Sequence, residues 1–98
     1  MYNYNFGSEK VLKEETNVTL KCDKTYFTGS LLVTNKNLLI FYDANKDSAL
    51  KGSGVQVMPE YALLAKINLK NIKYEQKDGQ VNINNIIIYN FDLKNFLN

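Results

Sequence analysis

The side chains that could do chemistry are few, and their spacing disfavours each reaction in turn. There is no histidine, so the usual general base near neutral pH is missing. Cys22 is the sole cysteine. Without an imidazole it cannot join a Cys–His nucleophile, and one thiol builds neither a zinc site nor an internal disulfide. Glu14 and Glu15 are adjacent, but neighbours along a strand face opposite ways, so they read as solvated surface carboxylates. Asp43-Ala44-Asn45-Lys46-Asp47-Ser48 opens like a calcium loop of the D-x-[DN]-x-[DN] type. The glycine required at the sixth position is Ser48, the glutamate required at the twelfth is Gly54, and Lys46 stands among the would-be ligands. Residues 43 to 54 are therefore expected to be a polar connection without metal. Gly52-Ser53-Gly54 lacks the strand–helix setting of a phosphate-binding loop and reads as simple flexibility. The expectation is a non-enzyme with no catalytic residues, no cofactor and no metal.

Charge narrows the partners. Twelve basic residues, all lysine, oppose ten acidic ones for a net +2. Without arginine the chain lacks the planar fork that grips phosphates and guanine edges at two points. A basic stripe with interleaved aromatics is also missing, so no nucleic-acid partner is expected. Lys66, Lys70 and Lys73 could form part of a positive face for anionic lipid. Glu60, Glu75 and Asp78 are mixed with them, and a solvated strand face is the simpler reading.

The elements that would position these residues are mostly strands. Ninety-eight residues fit one domain with one core. No apolar run approaches a membrane-spanning helix and no signal peptide opens the chain, so a cytoplasmic location is the default. Tyr2, Tyr4 and Phe6 alternate with asparagines, and residues 1–7 read equally as an edge strand or a tail. Val18, Leu20 and Cys22 share one strand face, which places the thiol in the core as an inert group.

GSLLVTNKNLLIFYD, residues 29 to 43, reads as a hairpin reversing at Asn35 and Asn37, residues that tolerate positive φ. Tyr61, Leu63, Ala65, Ile67 and Leu69 keep period 2, interrupted by Leu64, and Ile72 and Tyr74 continue the pattern to the Asp78-Gly79 turn. Val81 and Ile83 follow, then an Asn84-Asn85 turn and the apolar run Ile86 to Tyr89. Asp92 suits a helix cap, with Leu93, Phe96 and Leu97 on one face.

Taken together the pieces resemble the GRAM and bacterial pleckstrin-homology-like families. Ser8-Glu9-Lys10-Val11-Leu12 is similar to their opening G-x-E-x-V-L segment. Gly29, Leu31, Val33, Thr34, Asn35, Lys36, Leu38 and Phe41 follow their hairpin pattern, and Ile67, Leu69 and Ile72 match the next strand. The resemblance implies a mainly β fold, a partly open barrel of about seven antiparallel strands with a short C-terminal helix, spanning residues 1–98 as one domain. Asn37 stands where the family often carries a basic residue, and the terminal helix is shorter than usual, as in a truncated helix or a half-closed barrel end. The lysine-then-arginine pattern with which some pleckstrin-homology domains hold inositol phosphates has no counterpart here.

The functional expectation is a non-catalytic binding module. It would make protein–protein contacts, or self-associate, through a strand edge, or tether a larger chain near a membrane. Weak contact with an anionic membrane surface, as a peripheral lipid-binding domain, is the alternative. No ligand-binding residue is assigned by the sequence.

Overall fold

The computed structural model describes residues 1–45 and 58–98. The candidate calcium loop from Lys46 onward, Gly52-Ser53-Gly54 and Val55-Gln56-Val57 lie outside the described residues. The chain forms β1 (Tyr2–Asn3), β2 (Val11–Cys22), β3 (Thr25–Thr34), β4 (Asn37–Asp43), β5 (Tyr61–Asn68), β6 (Glu75–Lys77), β7 (Gln80–Ile83), β8 (Ile86–Tyr89) and a helix, α1 (Leu93–Leu97). These strands make one open sheet in the order β1-β5-β4-β3-β2-β8-β7-β6. Seven strands are antiparallel to their neighbours; the eighth, β1, runs parallel to β5 over only two residue pairs. Of residues 1–7, Tyr2–Asn3 form an edge strand and residues 4–7 are outside any strand.

The turns follow from local chemistry. Asp78-Gly79 and Asn84-Asn85 both hold two successive residues at positive φ, the geometry that matches the twist of a two-residue hairpin. The hairpin at residues 29 to 43 reverses differently from expectation, because neither Asn35 nor Asn37 is among the residues at positive φ. Instead the buried Thr34 hydroxyl accepts from the N–H groups of Lys36 (3.1 Å) and Asn37 (2.9 Å), a side chain standing in for a backbone turn bond. Upstream, β3 begins at Thr25 and not at Gly29, joined to β2 by Asp23-Lys24 with Asp23 at φ 56°.

Leu64 marks a β-bulge. Ile40 pairs with Ala65 while Phe41 pairs with Leu63, leaving Leu64 as the extra residue. The strand changes phase there. Tyr61 joins the aromatic cluster on one face, whereas Leu64, Ala65 and Ile67 pack on the other. After Asn68 the strand pattern stops, contrary to expectation, in a 3-10 turn, Leu69–Asn71. The Asn68 side chain caps this turn, and Ile72 and Tyr74 reach the core from irregular backbone.

The main core lies on the inner face: Val18, Leu20, Leu31, Val33, Leu38, Ile40, Ile67, Val81, Ile83, Ile86, Ile88 and Leu93. Asp92 caps α1 through Asn95 N–H at 3.1 Å, and Leu93 is fully buried with Phe96 and Leu97 against the same core. Five residues do not hold a helix in water, so packing must do so. A second cluster, Leu32, Leu39, Phe41 and Tyr61, occupies the outer face, and Tyr2, Tyr4 and Phe6 cover it. Tyr2 stacks on Tyr61 with centroids 4.7 Å apart and meets Phe41 edge-on at 4.8 Å, arrangements that aromatic pairs favour.

Gly29 is fixed by a close approach. A Cβ there would lie 2.0 Å from the Phe41 carbonyl oxygen and 2.8 Å from the Leu20 side chain, and the first of these is backbone that cannot step aside. Gly29→Ala is expected to destabilise the fold by roughly 2–4 kcal/mol. A denaturant melt checks this; an unchanged midpoint would mean the β3–β4 spacing is wrong.

Candidate functional site

The free main-chain groups of an open sheet are its most reactive surface, and here the strand registers say where they are. Asn37 faces Asn68 across the β4–β5 pair, and Leu69 N–H donates to the Lys36 carbonyl at 3.0 Å. Asn37–Asn68 is therefore a non-hydrogen-bonded pair. It follows that the N–H and C=O of Lys66 and the N–H of Asn68 turn away from β4 toward the outer edge, while the Asn68 carbonyl, at the N-cap, opens the 3-10 turn. The same reasoning applies at the other end, where Ala44 N–H donates to the Glu60 carbonyl at 2.8 Å and Tyr61 also turns outward. There Tyr61 N–H is taken by the Met1 carbonyl at 2.8 Å, and β1 covers Tyr61 and Ala62. Beyond Ala62, no strand among the described residues pairs with that edge.

The opposite sheet edge, β6, is shorter. Its three residues are exposed, but Gln76 spends its side chain holding α1: its amide donates to the Phe91 carbonyl (2.8 Å) and its Oε1 accepts from Leu93 N–H (2.9 Å).

Next to the free part of β5 lies a shallow cleft lined by Glu9, Asn35, Lys36, Asn37, Lys66, Asn68, Leu69 and Lys70. Glu9 is already occupied. Its two carboxylate oxygens accept from the Tyr4 hydroxyl (2.6 Å) and the Thr34 hydroxyl (2.7 Å). Desolvation pushes the Glu9 carboxyl upward, but hydrogen bonds from Tyr4, Thr34 and Asn37 and the nearby Lys66 charge outweigh it and hold the carboxyl below its ordinary range. Asn35 and Asn68 each use the amide oxygen inward, accepting from Lys10 N–H (2.9 Å) and Lys70 N–H (2.8 Å). What remains to face a ligand is a set of donors: three ammonium groups and two amide NH2 groups.

The other residues singled out by sequence fall elsewhere. Cys22 is half-buried, not fully buried as expected, because it ends β2 beside the Asp23-Lys24 turn; its side chain still packs on the main core. Glu14 and Glu15 are exposed, and Glu14 accepts a 2.5 Å hydrogen bond from the Tyr2 hydroxyl. Burial, then that hydrogen bond, drives the Tyr2 hydroxyl well above its ordinary pKa. Lys66 and Lys70 line the cleft, whereas Lys73 lines a separate depression with Tyr74 and Asn82 to Asn85. Sequence reasoning missed Lys36 and Glu9 as site residues: Glu9 precedes β2 and Lys36 sits in the β3–β4 turn, both far from β5 along the chain, and no local pattern links them to it. Among the described residues, no helix is long and apolar enough to cross a membrane and no group of three or more Cys, Asp or Glu side chains could hold a metal ion. Comparison of the chain with protein-family models, curated proteins and solved structures gives no match.

Glu9 makes stability pH-dependent with a definite sign. Its folded-state pKa lies below its unfolded value, so its contribution is complete above the unfolded value and is lost as pH falls through the folded one. Glu9→Gln should lower the melting temperature near neutral pH. The gap to wild type should shrink as pH drops below about 4.3. A gap independent of pH would contradict the assignment.

Proposed function

We propose that the chain is a non-catalytic, cytoplasmic binding module of pleckstrin-homology-like fold, which engages a protein partner or a second copy of itself by accepting a strand on the outer edge of β5. The fold part of this reading is supported by seven consecutive antiparallel strands, a four-stranded meander joined through β2 to a three-stranded one, with the helix following the last strand. The resemblance implies about seven antiparallel strands and a short C-terminal helix; the sheet has these, with β1 as an added eighth strand parallel to β5. The observation that carries the function is the outward-turned N–H and C=O of Lys66 and N–H of Asn68, which no strand among the described residues covers. Such an edge supplies affinity through main-chain hydrogen bonds, with side-chain pockets supplying selectivity. Such a contact suits a module that tethers a larger chain. A peripheral anionic-lipid role is the second reading, favoured by the three lysines of the cleft; the near-neutral net charge of +2 weakens it.

A phage-displayed library of unstructured heptapeptides tests the reading. Selected peptides should perturb the amide resonances of Lys66 to Asn68. Asn68→Pro should abolish binding, since Asn68 has φ −66°, a value proline adopts, and the substitution removes the outward N–H together with the side-chain cap on Lys70 N–H. Asn68→Ala loses the cap to Lys70 but keeps that N–H, and should still bind. Peptides that ignore Asn68→Pro would overturn the proposal. So would tight, headgroup-specific co-sedimentation with phosphatidylserine or phosphoinositide vesicles at physiological salt, which would put the lipid reading in its place.

A further inference from the structure

The edge of β5 that no strand among the described residues covers and the donor-lined cleft are two independent features that meet on the same residues. Lys66 and Asn68 supply outward main-chain groups to the edge and line the cleft as well. Lys66 lies opposite Leu39, a member of the outer cluster, so its side chain rises on the outer face, where its ammonium sits 5.7 Å from the Tyr4 ring centre. Lys70 follows directly after the 3-10 turn begins, and Lys36 stands in the β3–β4 turn beside it. A strand added to β5 past β1 would thus run its end into a cluster of ammonium and amide donors.

Resting on the strand-edge reading above, we infer that the partner segment is acidic: an extended stretch whose main chain pairs with β5 at Lys66 and Asn68 and whose carboxylates are held by Lys36, Lys66 and Lys70. Three observations support carboxylate as the recognised group. The side chains that line the cleft offer mainly donors, because Asn35 and Asn68 each already turn the amide oxygen to a backbone N–H. Among the described residues that line the cleft, Glu9 is the one carboxylate; it stays ionised and attracts Lys66, but one negative charge facing three ammonium groups leaves the cleft net positive. The three lysines could also take an anionic headgroup, but they stand at the end of one strand beside main-chain groups that no strand among the described residues covers. The peptide backbone satisfies the edge and its acids satisfy the cleft; a phosphate headgroup satisfies only the second.

The heptapeptide selection distinguishes failure of this inference from failure of the strand-edge reading. Selected sequences should be enriched in Asp and Glu, and Lys66→Glu or Lys70→Glu should weaken a selected acidic peptide about tenfold. The affinity should fall as salt rises, since these contacts are solvent-exposed. Lys24→Glu, at the far β2–β3 turn, should change it little, and melting curves of each variant separate lost binding from lost folding. Lys66→Gln and Lys70→Gln, which remove charge without reversing it, should give intermediate losses. Peptides that bind at Lys66 to Asn68 without acidic enrichment, or without sensitivity to the lysines, would overturn the acidic-partner inference and leave the strand-edge reading intact. Selected peptides that bind elsewhere, or a selection that yields none, would overturn both. Vesicle binding through these same lysines, with no preference for acidic peptides, would overturn the inference in favour of a membrane ligand.

Discussion

The β3–β4 hairpin is apolar on both faces, and most of the structure exists to cover it. Leu31, Val33, Leu38 and Ile40 point to the inner core, while Leu32, Leu39 and Phe41 point outward, and all are essentially removed from solvent. The inner face is closed by β7, β8 and α1. Among the described residues, the outer face has four buried residues of its own and no second sheet. Covering it falls to Tyr2, Tyr4 and Phe6, which each carry a large apolar body; burying such a side chain stabilises by about 1.5–3 kcal/mol.

That demand shapes the candidate site. To lay three aromatics across the outer face, the first residues start at the edge of β5, pair there for two residues and then cross toward Lys10, whose carbonyl accepts from Asn35 N–H at 3.1 Å. The crossing is pinned by Glu9, whose contacts with Tyr4 and Thr34 join the N-terminal segment to the hairpin turn. Thr34 is the hub: one buried hydroxyl serves the turn and the carboxylate together. The segment thus satisfies part of the β5 edge, leaves Lys66 and Asn68 facing outward, and engages the only acid of the cleft.

Strand content, the two asparagine- and glycine-bearing turns and the Asp92 cap were legible because each rests on a local rule: alternation, positive φ, or a side chain accepting a terminal N–H. The bulge at Leu64 was visible only as a break in period 2; that it flips Tyr61 to the outer face depends on pairing with β4. The 3-10 turn after Asn68 was hidden because Ile72 and Tyr74 keep an alternating pattern while reaching the core from irregular chain. The cleft was legible only as a possible positive face that included Lys66 and Lys70. Glu9, Lys36 and Lys66 meet through strand order, and nothing in their separate neighbourhoods announces it. Lys70 was noticed for its charge, but its meaning comes from the edge beside it.

Native-state amide hydrogen exchange, followed residue by residue along β5 by NMR, addresses the open edge most directly. The account predicts that Ile67, bonded to β4, is protected as strongly as the core strands, that Tyr61 is protected by its bond to Met1, and that Lys66 and Asn68 exchange at rates typical of solvent-exposed loops. Protection of Lys66 and Asn68 equal to that of Ile67 would show that the edge is already satisfied, and the claim that it awaits a partner strand would be wrong.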